Sequence, residues 1–203
     1  MLVEAAVESL DAALAAAEGG AHRIELCTDL AHGGTTPALP LLRECLAKLT
    51  IPVWVLVRPR AGDFVYTDAE HRTMLDQIAT AKTAGARGIV TGGLTARRVI
   101  DESRVAELIQ HARPLAFTFH RAFEECADLP AALETLIRLG VERVLTSKQI
   151  GRLVTQAAGR IVILAGGGIN ADNVARLVLE TGVREIHFSV KNAQKVRDVL
   201  ESL

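Results

Sequence analysis

Four stretches of the chain repeat one local pattern: Gly20-Ala21-His22-Arg23-Ile24, Gly85-Ala86-Arg87-Gly88-Ile89, Gly140-Val141-Glu142-Arg143-Val144 and Gly182-Val183-Arg184-Glu185-Ile186. Each follows an amphipathic helical stretch and precedes an apolar run. The pattern reads as a helix that ends on a left-handed glycine, then a small apolar residue, then a strand. A helix-to-strand junction repeated in this way signals β/α units wound round one sheet.

Eight strands are expected, at Leu2–Val7, Arg23–Cys27, Val53–Arg58, Gly88–Gly92, Leu115–His120, Arg143–Ser147, Ile161–Gly166 and Glu185–Ser189. Helical periodicity falls after each of them, at Ser9–Glu18, Leu39–Leu49, Asp68–Ala84, Glu102–Ala112, Pro130–Leu139, Ile150–Ala158, Ala171–Glu180 and Asn192–Leu203. Strands and helices that alternate eight times predict a (β/α)8 TIM barrel. One domain is expected over residues 1–203. A doubly wound open sheet is the alternative, but no G-x-G-x-x-G follows the first strand. Two crossovers look short. Only Lys148–Arg160 separates strands six and seven, and the last strand runs almost directly into the final helix. Shortened or missing loops are therefore expected after strands six and eight.

Alternate residues of a barrel strand point inward, and functional groups gather at the strands' C-terminal ends. In Leu115-Ala116-Phe117-Thr118-Phe119-His120, the phenylalanines form one face and Thr118 and His120 the other. The same alternation puts Glu4, Glu25, Cys27, Arg58, His120 and His187 on the inner side, with Ser189 at the end of the last strand. Buried charges must pair, and Glu4, Glu25 and Arg58 are the expected partners because they come from adjacent strands. An ion-pair layer without chemistry and a polar pocket are both compatible with this pattern. The polar groups concentrate near strand ends, which favours the pocket.

Three loops extend that mouth: His32–Pro37, Arg60–Tyr66 and Gly166–Asn170. Glycine amides at a helix start hold anions. Arg58, Arg60, Asp63, Arg121, Gly167, Gly168 and Ser189 are therefore the candidate ligand-binding residues, for a small phosphate- or carboxylate-bearing metabolite. Glu4, Glu25 and His120 are the candidates for acid–base work. Cys27, His120 and His187 are the candidate metal ligands, since thiolate with imidazole suits copper or zinc. Cys45, on an apolar helix face, reads as a core residue, Cys126 as exposed, and His22, His71 and His111 as surface residues.

A net charge of −1 spread along the chain supplies no basic stripe for nucleic acid or an anionic membrane. No apolar run approaches the roughly 20 residues of a membrane span. The N-terminus lacks the pattern of a secretory signal. The three cysteines form no CxxC pair. A cytoplasmic protein is expected.

Several longer stretches resemble one family in register: Glu4–Ser9, Arg23–Cys27, Gly33–Pro37, Arg58-Pro59-Arg60-Ala61-Gly62-Asp63-Phe64-Val65-Tyr66, Thr118–Phe123, Val144–Ser147, Gly166–Gly168 and Glu185–Ser189. Together they are similar to the CutC copper-homeostasis family. The resemblance implies a cytosolic (β/α)8 barrel, often a homo-oligomer, linked to copper handling, with copper as the implied ligand. It also implies two cysteine ligands on the first two strands. The second matches Cys27, whereas the first falls at Ala6. Family members carry more residues after Ser147 and after Ser189, and a glycine where this chain has Lys148.

Overall fold

The computed structural model describes residues 1–203. Its strands are β1 (Leu2–Val7), β2 (Arg23–Leu26), β3 (Val53–Leu56), β4 (Gly88–Thr91), β5 (Ala116–Phe119), β6 (Arg143–Thr146), β7 (Val162–Ala165) and β8 (Glu185–Ser189). The helices between and after them are α1 (Leu10–Glu18), α2 (Leu39–Lys48), α3 (Asp68–Ala84), α4 (Glu102–Ala112), α5 (Leu129–Arg138), α6 (Ile150–Ala157), α7 (Ala171–Thr181) and α8 (Ala193–Glu201). All strands run parallel, and β1 pairs with both β2 and β8, which closes the barrel. This is the expected (β/α)8 architecture, with element ends within two residues of the sequence reading.

The repeated glycine junction does what its pattern implies. Gly85 ends α3 at φ 104°, a conformation that favours glycine. The Ala86 N–H then turns back to the Ala81 carbonyl at 3.1 Å. Ala21 and Val141 close α1 and α5 the same way, onto Ala16 and Leu136. The fourth junction differs: the Val183 N–H donates to Thr181 Oγ1 at 3.3 Å. At the opposite helix ends, Ser9, Asp101, Asp128 and Asn192 accept first-turn N–H groups, and Thr67 forms a capping box with Glu70.

The apolar core lies between the barrel's outer face and the helices. Val3, Ala5, Val7, Ile24, Leu26, Phe117 and Phe119 belong to it and are buried. Cys45 is in this core as expected. Cys126 is also buried, at 9% exposure, because the chain after β5 folds inward as a 3-10 turn at Arg121–Glu125. His71 is likewise buried, and its Nε2 is 2.7 Å from Glu107 Oε2 on the neighbouring α4.

The short crossovers are short at the barrel mouth. Residues 147–149 alone link β6 to α6, and residues 190–192 link β8 to α8. Gln149 starts α6 at φ 51° without a side-chain cap. No helix is long and apolar enough to cross a membrane.

Candidate functional site

The barrel interior is charged from its floor upward. Glu4 on β1 lies opposite Arg23 on β2 and His187 on β8 in the strand register. Its carboxylate accepts from Arg23 Nε and sits 2.8 Å from His187 Nδ1. Arg23 Nη2 also donates to Glu185 Oε2 at 2.8 Å, and Arg143 Nε donates to the same oxygen at 2.6 Å. The expected pairing of Glu4 and Glu25 with Arg58 is therefore corrected. Arg58 lies beyond the last residue of β3, so its side chain meets loops, and Arg23, level with Glu4, takes the carboxylate.

That network fixes protonation at the floor. Burial opposes ionisation of Glu4, but the hydrogen bond and charge of His187 and the charge of Arg23 outweigh it, holding the carboxyl down to about 2. Burial also works against a charged His187, yet the Glu4 bond and the two nearby carboxylates raise its pKa above the ordinary value. Glu25, one layer higher on β2, is 6% exposed, and its Oε2 has no hydrogen-bond partner. Burial, with the Glu4 charge adding, pushes its carboxyl up to about 7, against the pull of His187 and Arg23.

Above this floor is a cavity of about 210 Å³ bordered by Glu25, Arg58, Phe64, His120, Arg121 and His187. Glu124 and the 146–147 and 166–167 turns complete its wall on the β6–β7 side. Arg58 is 4% exposed and has no carboxylate partner. Its Nη1 donates to the carbonyls of His32 and Gly34, and Nη2 to that of Gly62. It packs over the Phe64 ring at 4.9 Å and leaves Nε without a partner. Gly33 lies between two cations: a β-carbon there would stand 3.2 Å from Arg58 Nη1 and 3.6 Å from Arg121 Nη1.

His120 immediately follows β5 and is 2% exposed. The Ala122 N–H donates to its Nδ1 at 3.4 Å, which requires the ring proton on Nε2. That Nε2 has no partner. Burial, then the charges of Arg58 and Arg121, pushes the imidazole pKa down to about 3, so the ring is neutral. The edge of Phe64 packs against it at a centroid distance of 4.8 Å.

Of the other expected site residues, only Gly167 borders the cavity. Arg60 pairs with Asp63 at 2.9 Å and with Glu70, and packs over Tyr66, so Arg60 and Asp63 brace the loop after β3 and do not border the cavity. Gly167 borders it, whereas Gly168 and Ser189 do not. The Gly168 carbonyl accepts from Asn173 Nδ2, and the Ser189 carbonyl from Lys195 Nζ. Cys27 is fully buried against Leu56 and Val90, and its thiol donates to the Val7 carbonyl at 3.4 Å. The expected gathering of Cys27, His120 and His187 is not formed. The groups that do converge are Glu4, Glu25 and His187, with ligand-type atoms all within 4.8 Å of one another. Sequence reasoning left out Arg23 and Arg143. Arg23 shares the inner-facing parity of Glu25, and that was the available signal.

Comparison with known proteins agrees with the resemblance. The family model described as "CutC family" matches residues 1–192. The CutC family protein of Pasteurella multocida is 46% identical over 201 positions, covering 94% of this chain and 82% of the relative. That alignment is longer than the part of this chain it uses, so the relative fills some positions alone. The human copper homeostasis protein cutC homolog is 45% identical, covering 95% of this chain and 74% of the human protein. The crystal structure of the copper homeostasis protein CutC from Streptococcus agalactiae superposes with a TM-score of 0.87 at 34% identity, covering 92% of this chain and 97% of that one. On the family match and these identities, the chain belongs to the CutC family.

Proposed function

We propose that the barrel mouth carries out proton transfer on a small anionic molecule. One observation carries this reading: three buried polar atoms without partners, Glu25 Oε2, Arg58 Nε and His120 Nε2, belong to residues bordering one cavity. A buried polar group without a partner costs about 1–3 kcal/mol, so three around one space argue for a ligand that satisfies them. Arg58 and Arg121 supply positive charge and neither makes an ion pair, and Glu25 carries a proton that exchanges near neutral pH. At about 210 Å³ the cavity suits a molecule of a few carbon atoms.

Copper binding is the finer reading that the relatives' names suggest. The donor set supports it poorly for Cu(I), which prefers soft thiolates. Ala6 supplies no thiolate, and burial and the nearby carboxylates push the Cys27 thiol pKa well up. A cation among Glu4, Glu25 and His187 would face the Arg23 guanidinium and an imidazole whose pKa the neighbouring carboxylates raise. Thermal unfolding with added inorganic phosphate tests the anion reading. A rise in Tm beyond that given by chloride of equal ionic strength is expected, and an equal response overturns it.

A further inference from the structure

Acid–base chemistry at this site is narrowed by what each orphaned group is able to do. Glu25 comes from β2 and His120 from β5, which lie nearly opposite in the closed eight-strand order, with β3 and β4 between them on one side. The two side chains border the same cavity. Glu25 presents a carboxylate oxygen with no donor. His120 presents an N–H with no acceptor, because Nδ1 is occupied by the Ala122 N–H. A proton acceptor and a neutral hydrogen-bond donor on one cavity match a reaction that lifts a proton from carbon while charge builds on an oxygen.

We infer that the site enolises a small carbonyl compound bearing an anionic group, with Glu25 removing the hydrogen next to the carbonyl and His120 Nε2–H holding the oxygen. This rests on the proton-transfer reading above. The Glu25 carboxylate forms an O–H bond to that hydrogen. The C–H electron pair becomes the C=C bond, and the carbonyl π pair moves onto oxygen. That oxygen accepts from His120 Nε2. Return of the proton from Glu25 to carbon restores the carboxylate, so no oxidant or co-reactant is consumed. Arg58 and Arg121 hold the anionic group, with Gly33 leaving room between them.

The protonation states agree with these roles. A carboxyl near 7 is ready to take and return a proton, and an imidazole that protonates only near 3 is a neutral donor at physiological pH. A glutamate base paired with a neutral imidazole is a known solution to enolisation on this fold. Phe64, 3% exposed and packed against both Arg58 and His120, limits water beside the developing oxyanion.

The test is hydrogen exchange. The full chain is incubated in deuterium oxide with dihydroxyacetone phosphate, and loss of the carbon-bound proton signal is followed by NMR. Exchange above the buffer blank is expected, cut about 10²–10⁴-fold in Glu25→Gln and about 10²–10³-fold in His120→Gln. Retained phosphate stabilisation of both variants shows that they fold and still bind. Exchange at the wild-type rate in Glu25→Gln, or none above the blank in the wild type, overturns the inference. A wild type that shows phosphate stabilisation but no exchange above the blank rejects enolisation alone. No phosphate stabilisation in the wild type rejects the anion reading with it.

Discussion

Glu4 and His187 share a 2.8 Å contact across the seam where β1 meets β8, and the same carboxylate accepts from Arg23 on its other side. One buried anion thus holds two cationic groups together. Glu4→Gln leaves His187 without its bonded carboxylate and Arg23 with Glu185 alone, and a loss of about 3–5 kcal/mol is expected. The Glu4 carboxyl is held down to about 2 from 4.5, so its contribution is full above 4.5 and fades as pH falls toward 2. His187 is shifted up from 6.5, so its contribution is present below 6.5 and is lost as pH rises through its folded value. Urea unfolding across pH measures both. The gap between wild type and variant should be largest between 4.5 and 6.5, and a gap unchanged into strong acid rejects this account.

Glu25 works in the opposite sense. Its carboxyl is raised from 4.5 to about 7, so the folded protein holds this proton more tightly than the unfolded chain. The cost of burying the charge grows as pH rises from 4.5 and is complete above about 7. Glu25→Gln should therefore be more stable than wild type in mild alkali, by up to about 3 kcal/mol, and nearly equal to it at about pH 4.5. The same urea series reads this. A variant less stable than wild type at about pH 8 would mean that the carboxylate has a partner after all. A group that lowers stability where it sits fits a site kept for use.

These two residues also mark how far sequence alone reaches. Alternation identified Glu4, Glu25, His120 and His187 as inward-facing, because parity is a local property of a strand. It did not pair them, because pairing depends on the stagger between strands. Arg23 sits level with Glu4, while Arg58, on the same inner face of the next strand, lies past the strand end and caps loop carbonyls. Cys27 had the right parity and the wrong depth, closed off by Leu56 and Val90. Arg60 looked like an anion clamp, but its loop supplies Asp63 and α3 supplies Glu70 to neutralise it. The glycine junctions and the short links after β6 and β8 were legible, since each rests on a few consecutive residues.

Gly88 packs directly beneath Trp54. A β-carbon on Gly88 would stand 2.0 Å from the indole Nε1, and Arg23 lies over the same ring at 4.8 Å. Gly88→Ala should lower stability by about 1–3 kcal/mol through overpacking. Trp54 is the chain's one tryptophan, so its emission reports the displacement directly. In a cycle with Trp54→Leu, a coupling above about 0.5 kcal/mol is expected, and additive effects would rule out the clash.

Arg121 separates binding from folding. It is exposed and makes no ion pair, yet it borders the cavity beside Arg58. Arg121→Gln should leave stability within about 0.5 kcal/mol of wild type. Phosphate affinity should fall about tenfold, the loss of one charge-assisted contact. Calorimetric titration at fixed ionic strength measures the second effect, and equal phosphate affinity removes Arg121 from the site. Arg58 makes a poorer probe because its guanidinium also holds the carbonyls of His32, Gly34 and Gly62.

The thiols carry the prediction that bears on copper. Cys27, Cys45 and Cys126 are all unpaired and buried. Burial pushes each thiol pKa up, to about 11 for Cys45 and Cys126 and further for Cys27. The nucleophile and soft metal ligand is the thiolate, which is scarce under these conditions. Native protein at about pH 8 should react with a thiol reagent only as fast as it opens, while all three thiols react promptly in concentrated urea. Competition with a chromophoric Cu(I) chelator should give the same affinity for wild type and Cys27→Ala, within about twofold. A loss of about tenfold or more in Cys27→Ala would instead place Cu(I) on that thiolate and require the β2 end to open toward the mouth.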